Sequence, residues 1–234
     1  MYSQLPLSFR FQRTKVFETF HCGPNAEAVL GLKTCAIGQG ADYIFLWGES
    51  GMGKSHLLQS CCQQADQHQL RAAYIPLKKL RSYEASLFDG LENVNLVCID
   101  DVDAVNGGEA LEQGLFHFFN RIKANGNHLI MSGPTPPNQA NIRLPDLKSR
   151  LSWGLTLNLR PLSDQDKLSA LTLRAKALAF DLSPQVGYYL LARFPRDMSS
   201  LWDLLEKLDR ATLVAKRRLT IPFVKRFLEQ EHEV

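Results

Sequence analysis

Residues 48 to 55, Gly48-Glu49-Ser50-Gly51-Met52-Gly53-Lys54-Ser55, fit G-x-x-x-x-G-K-[ST], a spacing suited to capturing a nucleoside di- or triphosphate. Glycines let successive backbone N–H groups turn inward around a phosphate, at a helix N-terminus whose partial positive charge favours an anion. In that arrangement Lys54 neutralises β and γ oxygens and Ser55 ligates Mg²⁺. The bland reading is a glycine-rich turn joining strand to helix. Context favours the phosphate loop, because the apolar run YIFLW precedes the motif and HLLQSCCQQA, with helical spacing, follows it.

Asn95-Leu96-Val97-Cys98-Ile99-Asp100-Asp101 is an apolar run ending in two carboxylates. Beside a phosphate loop, Asp100 suits the water shell of Mg²⁺, and Asp101 suits orienting or deprotonating an attacking water. The same pair could simply cap the next turn. Leu144-Pro145-Asp146-Leu147-Lys148-Ser149-Arg150-Leu151 places Arg150 just before the apolar run LTLNL. A guanidinium there can act on a neighbour's γ-phosphate in trans, or form a surface salt bridge. Gln4-Leu5-Pro6-Leu7-Ser8-Phe9 sets an amide and three large apolar side chains where nothing local buries them, which suits docking into a groove on another protein or ordinary N-terminal packing. Tyr43, Trp47, Trp153 and Trp202 are expected in the core or between domains rather than stacked on bases, since no basic stripe accompanies them.

The elements that must position these groups follow from periodicity. Short apolar runs at 43–47, 72–75, 95–99, 128–132 and 155–159 alternate with helical patterns, which predicts a mostly parallel five-stranded sheet covered on both faces. After Pro161 the strand signals stop. DQDKLSALTLRAKALAF, PQVGYYLLARF, SSLWDLLEKLDRATLVAKR and IPFVKRFLEQ carry apolar residues at helical spacing, with Ser163 and Asp166, Ser183, Ser199 and Thr220 as helix starts. Residues 1–15 show neither period and read as an extended arm.

Composition excludes several classes. The chain has 234 residues, 45% of them apolar, and a net charge of +3 from 27 basic and 24 acidic residues. That balance leaves no nucleic-acid footprint. Cys22, Cys35, Cys61, Cys62 and Cys98 contain no C-x-x-C pair and are expected to be buried thiols in a reducing compartment. No apolar h-region opens the chain and no run of 18 apolar residues occurs, so a soluble cytoplasmic protein is expected.

Together, the phosphate loop, Asp100-Asp101, LKSRLSWGLTLNL and the helical tail resemble the AAA+ module of the DnaA family of bacterial replication initiators, over essentially residues 1 to 234. Within that family the chain is most similar to regulatory homologues lacking the DNA-binding domain. It stops at residue 234, and QLPLSF looks like the sliding-clamp motif Q-L-x-L-x-F through Gln4, Leu5, Leu7 and Phe9. The resemblance implies an α/β AAA+ P-loop fold. A clamp-binding arm spans 1–15, an AAA+ nucleotide-binding domain 16–160 and a helical lid domain 161–234.

It also implies ADP or ATP with Mg²⁺. Gly48, Gly51, Met52, Gly53, Lys54, Ser55 and His56 surround the phosphates, Phe20 within Val16–Phe20 lines the base, and Pro161 closes from the lid. The implied activity is negative regulation of chromosomal replication initiation: docked on the DNA-loaded polymerase III β clamp, the protein stimulates hydrolysis of ATP bound to DnaA, with Arg150 as the finger. Its own ATPase would be weak at most. DNA would be met only through the clamp, near the nucleoid, and the chain is expected to self-associate. Two departures stand out: only Ser132 is available as a γ-phosphate sensor after HLIMSG, and Ser199, with Arg196 one turn earlier, occupies the expected lid-arginine position. A self-sufficient AAA+ loader or remodelling ATPase is the alternative. A P-loop small-molecule kinase is disfavoured, because the helical tail follows the sheet instead of inserting as a short lid.

Overall fold

The computed structural model describes residues 15–80, 85–105, 108–215 and 217–232. The hexapeptide carrying Gln4, Leu5, Leu7 and Phe9 lies outside them. The described chain falls into two compact units. One comprises the residues up to Phe17 with Asn25–Ser50 and Lys54–Leu159; the other comprises Glu18–Pro24, Gly51–Gly53 and the chain from Arg160 onward.

The first unit is built on five strands, β1 (Tyr43–Trp47), β2 (Ala72–Pro76), β3 (Leu96–Asp100), β4 (His128–Gly133) and β5 (Leu155–Asn158). They lie in the order β2-β3-β4-β1-β5, and every pairing is parallel. Parallel strands need crossovers, and α1 (Ala26–Ala36), α2 (Lys54–Gln67), α3 (Glu109–Ala124) and α4 (Pro145–Leu151) accompany the sheet. Because strand side chains alternate, Phe45, Val97, Ile99, Leu129 and Met131 pack with Leu115, Phe118, Phe119, Leu147 and Leu151 of α3 and α4. Ile44, Leu46 and Cys98 are buried on the opposite face, where Cys61 and Cys62 of α2 also lie buried. Burial and the charge of Asp42 push the Cys35 thiol up to about 12, which keeps it unreactive. Cys22, expected to be buried, is only half-buried.

The second unit is helical: α5 (Asp164–Ala177), α6 (Pro184–Arg193), α7 (Met198–Ala215) and α8 (Ile221–His232). Leucines at helical spacing, among them Leu171, Leu190, Leu201, Leu205 and Leu208, make its core. Ser163 and Asp166 form a reciprocal capping box at α5, and the Ser183 hydroxyl accepts the Val186 N–H at α6. The start of α7 differs from expectation: Asp197, not Ser199, takes the cap, its carboxylate accepting the Ser200 N–H at 2.8 Å. A carboxylate cap accepts a charge-assisted bond from the first-turn N–H, stronger than a hydroxyl cap makes. No helix among the described residues is long and apolar enough to cross a membrane.

Candidate functional site

The phosphate loop leaves β1 at Trp47 and enters α2 at Lys54. Gly51 and Gly53 adopt φ of 80° and 95°, a region costly for other residues. A Cβ on Gly53 would stand 2.7 Å from the Phe20 ring, so that position needs glycine for space as well. Lys54 is only 8% exposed, and its ammonium donates to the Gly48 and Glu49 carbonyls at 2.6 and 2.9 Å. Burial lowers its pKa, against the opposing pull of Asp101 and Asp100. It enters no ion pair among the described residues. A buried cation held by neutral carbonyls alone fits an anion placed in the loop.

The carboxylates stand at the C-terminal end of β3. Asp100 is buried, and both of its oxygens are taken: the Ser132 hydroxyl of β4 donates to one, and the Tyr74 phenol of β2 donates to the other at 2.7 Å. Burial, then the charge of Asp100, raises the Tyr74 phenol above its ordinary range, so it remains a donor. The Ser55 and Gln59 side chains act the other way and pull the phenol's pKa down. Tyr74, Asp100 and Ser132 thus form a hydrogen-bonded row across three adjacent strands. Ser132 is buried, and its hydroxyl also accepts the Asp101 N–H at 3.1 Å. Its contacts are with the two acids, which it braces.

Asp101 adopts φ of 57°, a conformation Asp tolerates better than most residues and one that recurs at functional sites. Its carboxyl is raised by burial and then by Asp100, while the Lys78 ammonium at 3.2 Å pulls it down. Lys78 also reaches Asp103 at 3.4 Å. Sequence reading missed Tyr74 and Lys78. One signal was present, a phenol within the otherwise apolar AAYIP, but its value depends on β2 lying beside β3.

The His56 ring bonds the Val16 carbonyl at 3.0 Å, tying Val16 to the first turn of α2. Met52 is half-buried and Pro161 exposed. In the helical unit, the Asp197 side chain and the Ser199 N–H lie 3.8 Å from where a Cβ on Gly51 would stand. Arg196 is turned to Asp164 at 3.4 Å.

Arg150, in the last turn of α4, has no carboxylate within ion-pair reach among the described residues. Its guanidinium lies 5.1 Å from the Trp153 ring centre and 5.9 Å from that of Phe116. Trp153, expected in the core or between domains, is 43% exposed, with the Lys123 ammonium 3.4 Å from its ring centre. Its root is still the core, through stacking with Tyr43 and Phe119. Cations have taken its open surface.

Helix α4 itself is held by Glu112, which sequence reading did not single out. Glu112 is 2% exposed, and its carboxylate accepts the N–H groups of Arg143 and Leu144, the latter at 2.7 Å. Those two residues lead into Pro145, the first residue of α4. Glu112→Leu strands two buried donors, so it is expected to cost about 3 kcal/mol. Glu112→Gln, which keeps one acceptor, is expected to lose less. Denaturant melts of the three proteins check this, and equal stability of Glu112→Leu and the parent would show that the anchor carries no weight.

A model of the bacterial DnaA ATPase domain matches residues 11–158, and a model described as Hda, lid domain, matches residues 164–228. Among solved structures, domain III of the Thermotoga maritima replication initiation protein DnaA is 22% identical, with a TM-score of 0.82 over 94% of this chain and 98% of that one. AMPPCP-bound DnaA from Aquifex aeolicus is 20% identical, with a TM-score of 0.76 over 96% of this chain and 71% of that one. The Thermotoga maritima RuvB branch migration motor is 17% identical, with a TM-score of 0.65 over 87% and 68%. At these identities the structures establish a shared AAA+ α/β fold.

Proposed function

Because the chain belongs to the bacterial DnaA ATPase domain family and carries an Hda-type lid, we propose that it is a regulator of replication initiation that promotes hydrolysis of ATP held by DnaA. The observation that carries this reading is Arg150, a partly exposed guanidinium without a carboxylate partner among the described residues, steadied on aromatic faces. A cation so held is pre-organised to meet charge on another molecule.

In this reading the protein's own phosphate loop holds an adenine nucleotide. The AMPPCP-bound relative supports that ligand class, and Lys54 supplies the buried countercharge. Gly48, Gly51, Met52, Gly53 and His56 surround the phosphates, while Phe20 and Pro161 flank the base. Ser55 and Asp100, the latter held by Tyr74, would hold Mg²⁺, which would supply positive charge against the phosphates. The nucleotide's role is to set conformation. Asp197 and Ser199 stand near Gly51 where the family resemblance placed an arginine, and Lys78 neutralises Asp101, so turnover at this site is slow. Residues 1–15 are the arm, docking on the β clamp through Gln4, Leu5, Leu7 and Phe9; residues 16–160 form the nucleotide-binding domain and 161–234 the lid.

The test is to load DnaA with radiolabelled ATP and follow its hydrolysis with this protein, with and without DNA-loaded clamp. Stimulation that requires the clamp is expected. A Gln4→Ala/Phe9→Ala double variant is expected to lose most of that stimulation while keeping its melting temperature. No stimulation by the intact protein would overturn the reading. Steady turnover of ATP by the isolated chain would favour a self-sufficient AAA+ ATPase, which the assembled Lys54, Ser55, Asp100 and Asp101 could support.

A further inference from the structure

Helices α7 and α8 of the helical unit enclose a groove that the reaction above does not use. Ala211 and Val214 of α7 face Phe223 and Phe227 of α8 around a cavity of about 550 Å³. Val214 is 86% exposed, an aliphatic side chain left in water. Every ionisable side chain lining the groove is a cation: Lys207, Arg210, Arg217 and Arg226. All four are exposed, and Arg210, Arg217 and Arg226 enter no ion pair among the described residues. On α7 the lining positions 207, 210, 211 and 214 form one stripe at helical spacing, and on α8 positions 223, 226 and 227 form another. Glu206, off that stripe, is spent on Arg174 at 2.7 Å.

We propose that this groove receives an acidic amphipathic helix from a partner protein, its apolar stripe seated between Val214 and the two phenylalanines and its flanking carboxylates meeting Arg210, Arg217 and Arg226. An apolar trough between two helices accepts a third helix by the same i, i+3, i+4, i+7 anchors that build a bundle. A rim of one sign selects the opposite sign on the visitor and speeds its arrival. A phosphate backbone would satisfy the cations but leave the apolar floor uncovered, so a peptide fits more of the surface than nucleic acid does.

The experiment uses the full chain and a fluorescein-labelled helical peptide with leucines at i, i+3, i+4 and i+7 and glutamates on both flanks, read by fluorescence anisotropy. Saturable, salt-sensitive binding is expected, with hydrogen-exchange protection confined to residues 207–227. Arg210→Glu/Arg226→Glu and, separately, Val214→Asn are each expected to weaken it by about tenfold or more, with melting temperatures near that of the parent. A peptide with the same leucines but lysine flanks is expected not to bind. Equal binding of the lysine peptide, or undiminished affinity in the charge-reversed variant, overturns the proposal. So does duplex DNA that displaces the peptide and binds Val214→Asn as well as the parent, which would make the surface a phosphate-tracking one.

Discussion

Arg150→Ala is expected to lower clamp-dependent hydrolysis of DnaA-bound ATP by about a thousandfold, the low end of what an arginine supplied in trans contributes to phosphoryl transfer. Such an arginine has to be held in place without being neutralised. Here Pro145 starts α4, Glu112 anchors the two residues before it, and Trp153 and Phe116 offer faces that orient the guanidinium without quenching its charge. Arg150→Lys keeps the charge but loses the planar fork and the stacking, so it is expected to recover little activity. Both variants are expected to bind nucleotide and clamp as the parent does. If Arg150→Ala retains stimulation within about threefold of the parent, the finger lies elsewhere and Arg150 is a surface cation.

The central strands β1, β3 and β4 were legible because they are buried on both faces and therefore read as short apolar runs, and the less buried edge strands β2 and β5 still carry apolar residues. The lid helices were legible from leucine spacing and from caps such as Ser163 and Asp166. Strand order was not. The order β2-β3-β4-β1-β5 brings Tyr74 and Ser132 to either side of Asp100, and no spacing along the chain announces that juxtaposition. Ser132, near the end of β4, was singled out as a phosphate sensor, but only the fold reveals that its hydroxyl also meets both acids next door. Glu112 was hidden for a related reason: an acid in the first turn of α3 is explained well enough by the helix dipole, and only the fold reveals the two N–H groups it meets. The partly open face of Trp153 was not legible either, because the cations that cover it come from α3 and α4, distant in sequence from each other.

Lys54→Ala is expected to weaken adenine nucleotide binding by about a hundredfold, corresponding to loss of charge-assisted hydrogen bonds worth about 3 kcal/mol. The same substitution should not destabilise the protein without nucleotide, because burying the ammonium against two carbonyls already costs free energy, as its lowered pKa records. The two effects separate in one measurement. With nucleotide at about one hundred times its Kd, the parent gains about 2.7 kcal/mol of stability, seen as a rise in melting temperature, and the variant gains almost nothing. Without nucleotide the two melt together. A variant that still gains stability with ATP would mean that backbone groups of the loop, not Lys54, carry the phosphates. A variant that melts far below the parent without nucleotide would mean that Lys54 is a structural clasp closing the loop onto Gly48 and Glu49, and the case for the buried countercharge would fall with it.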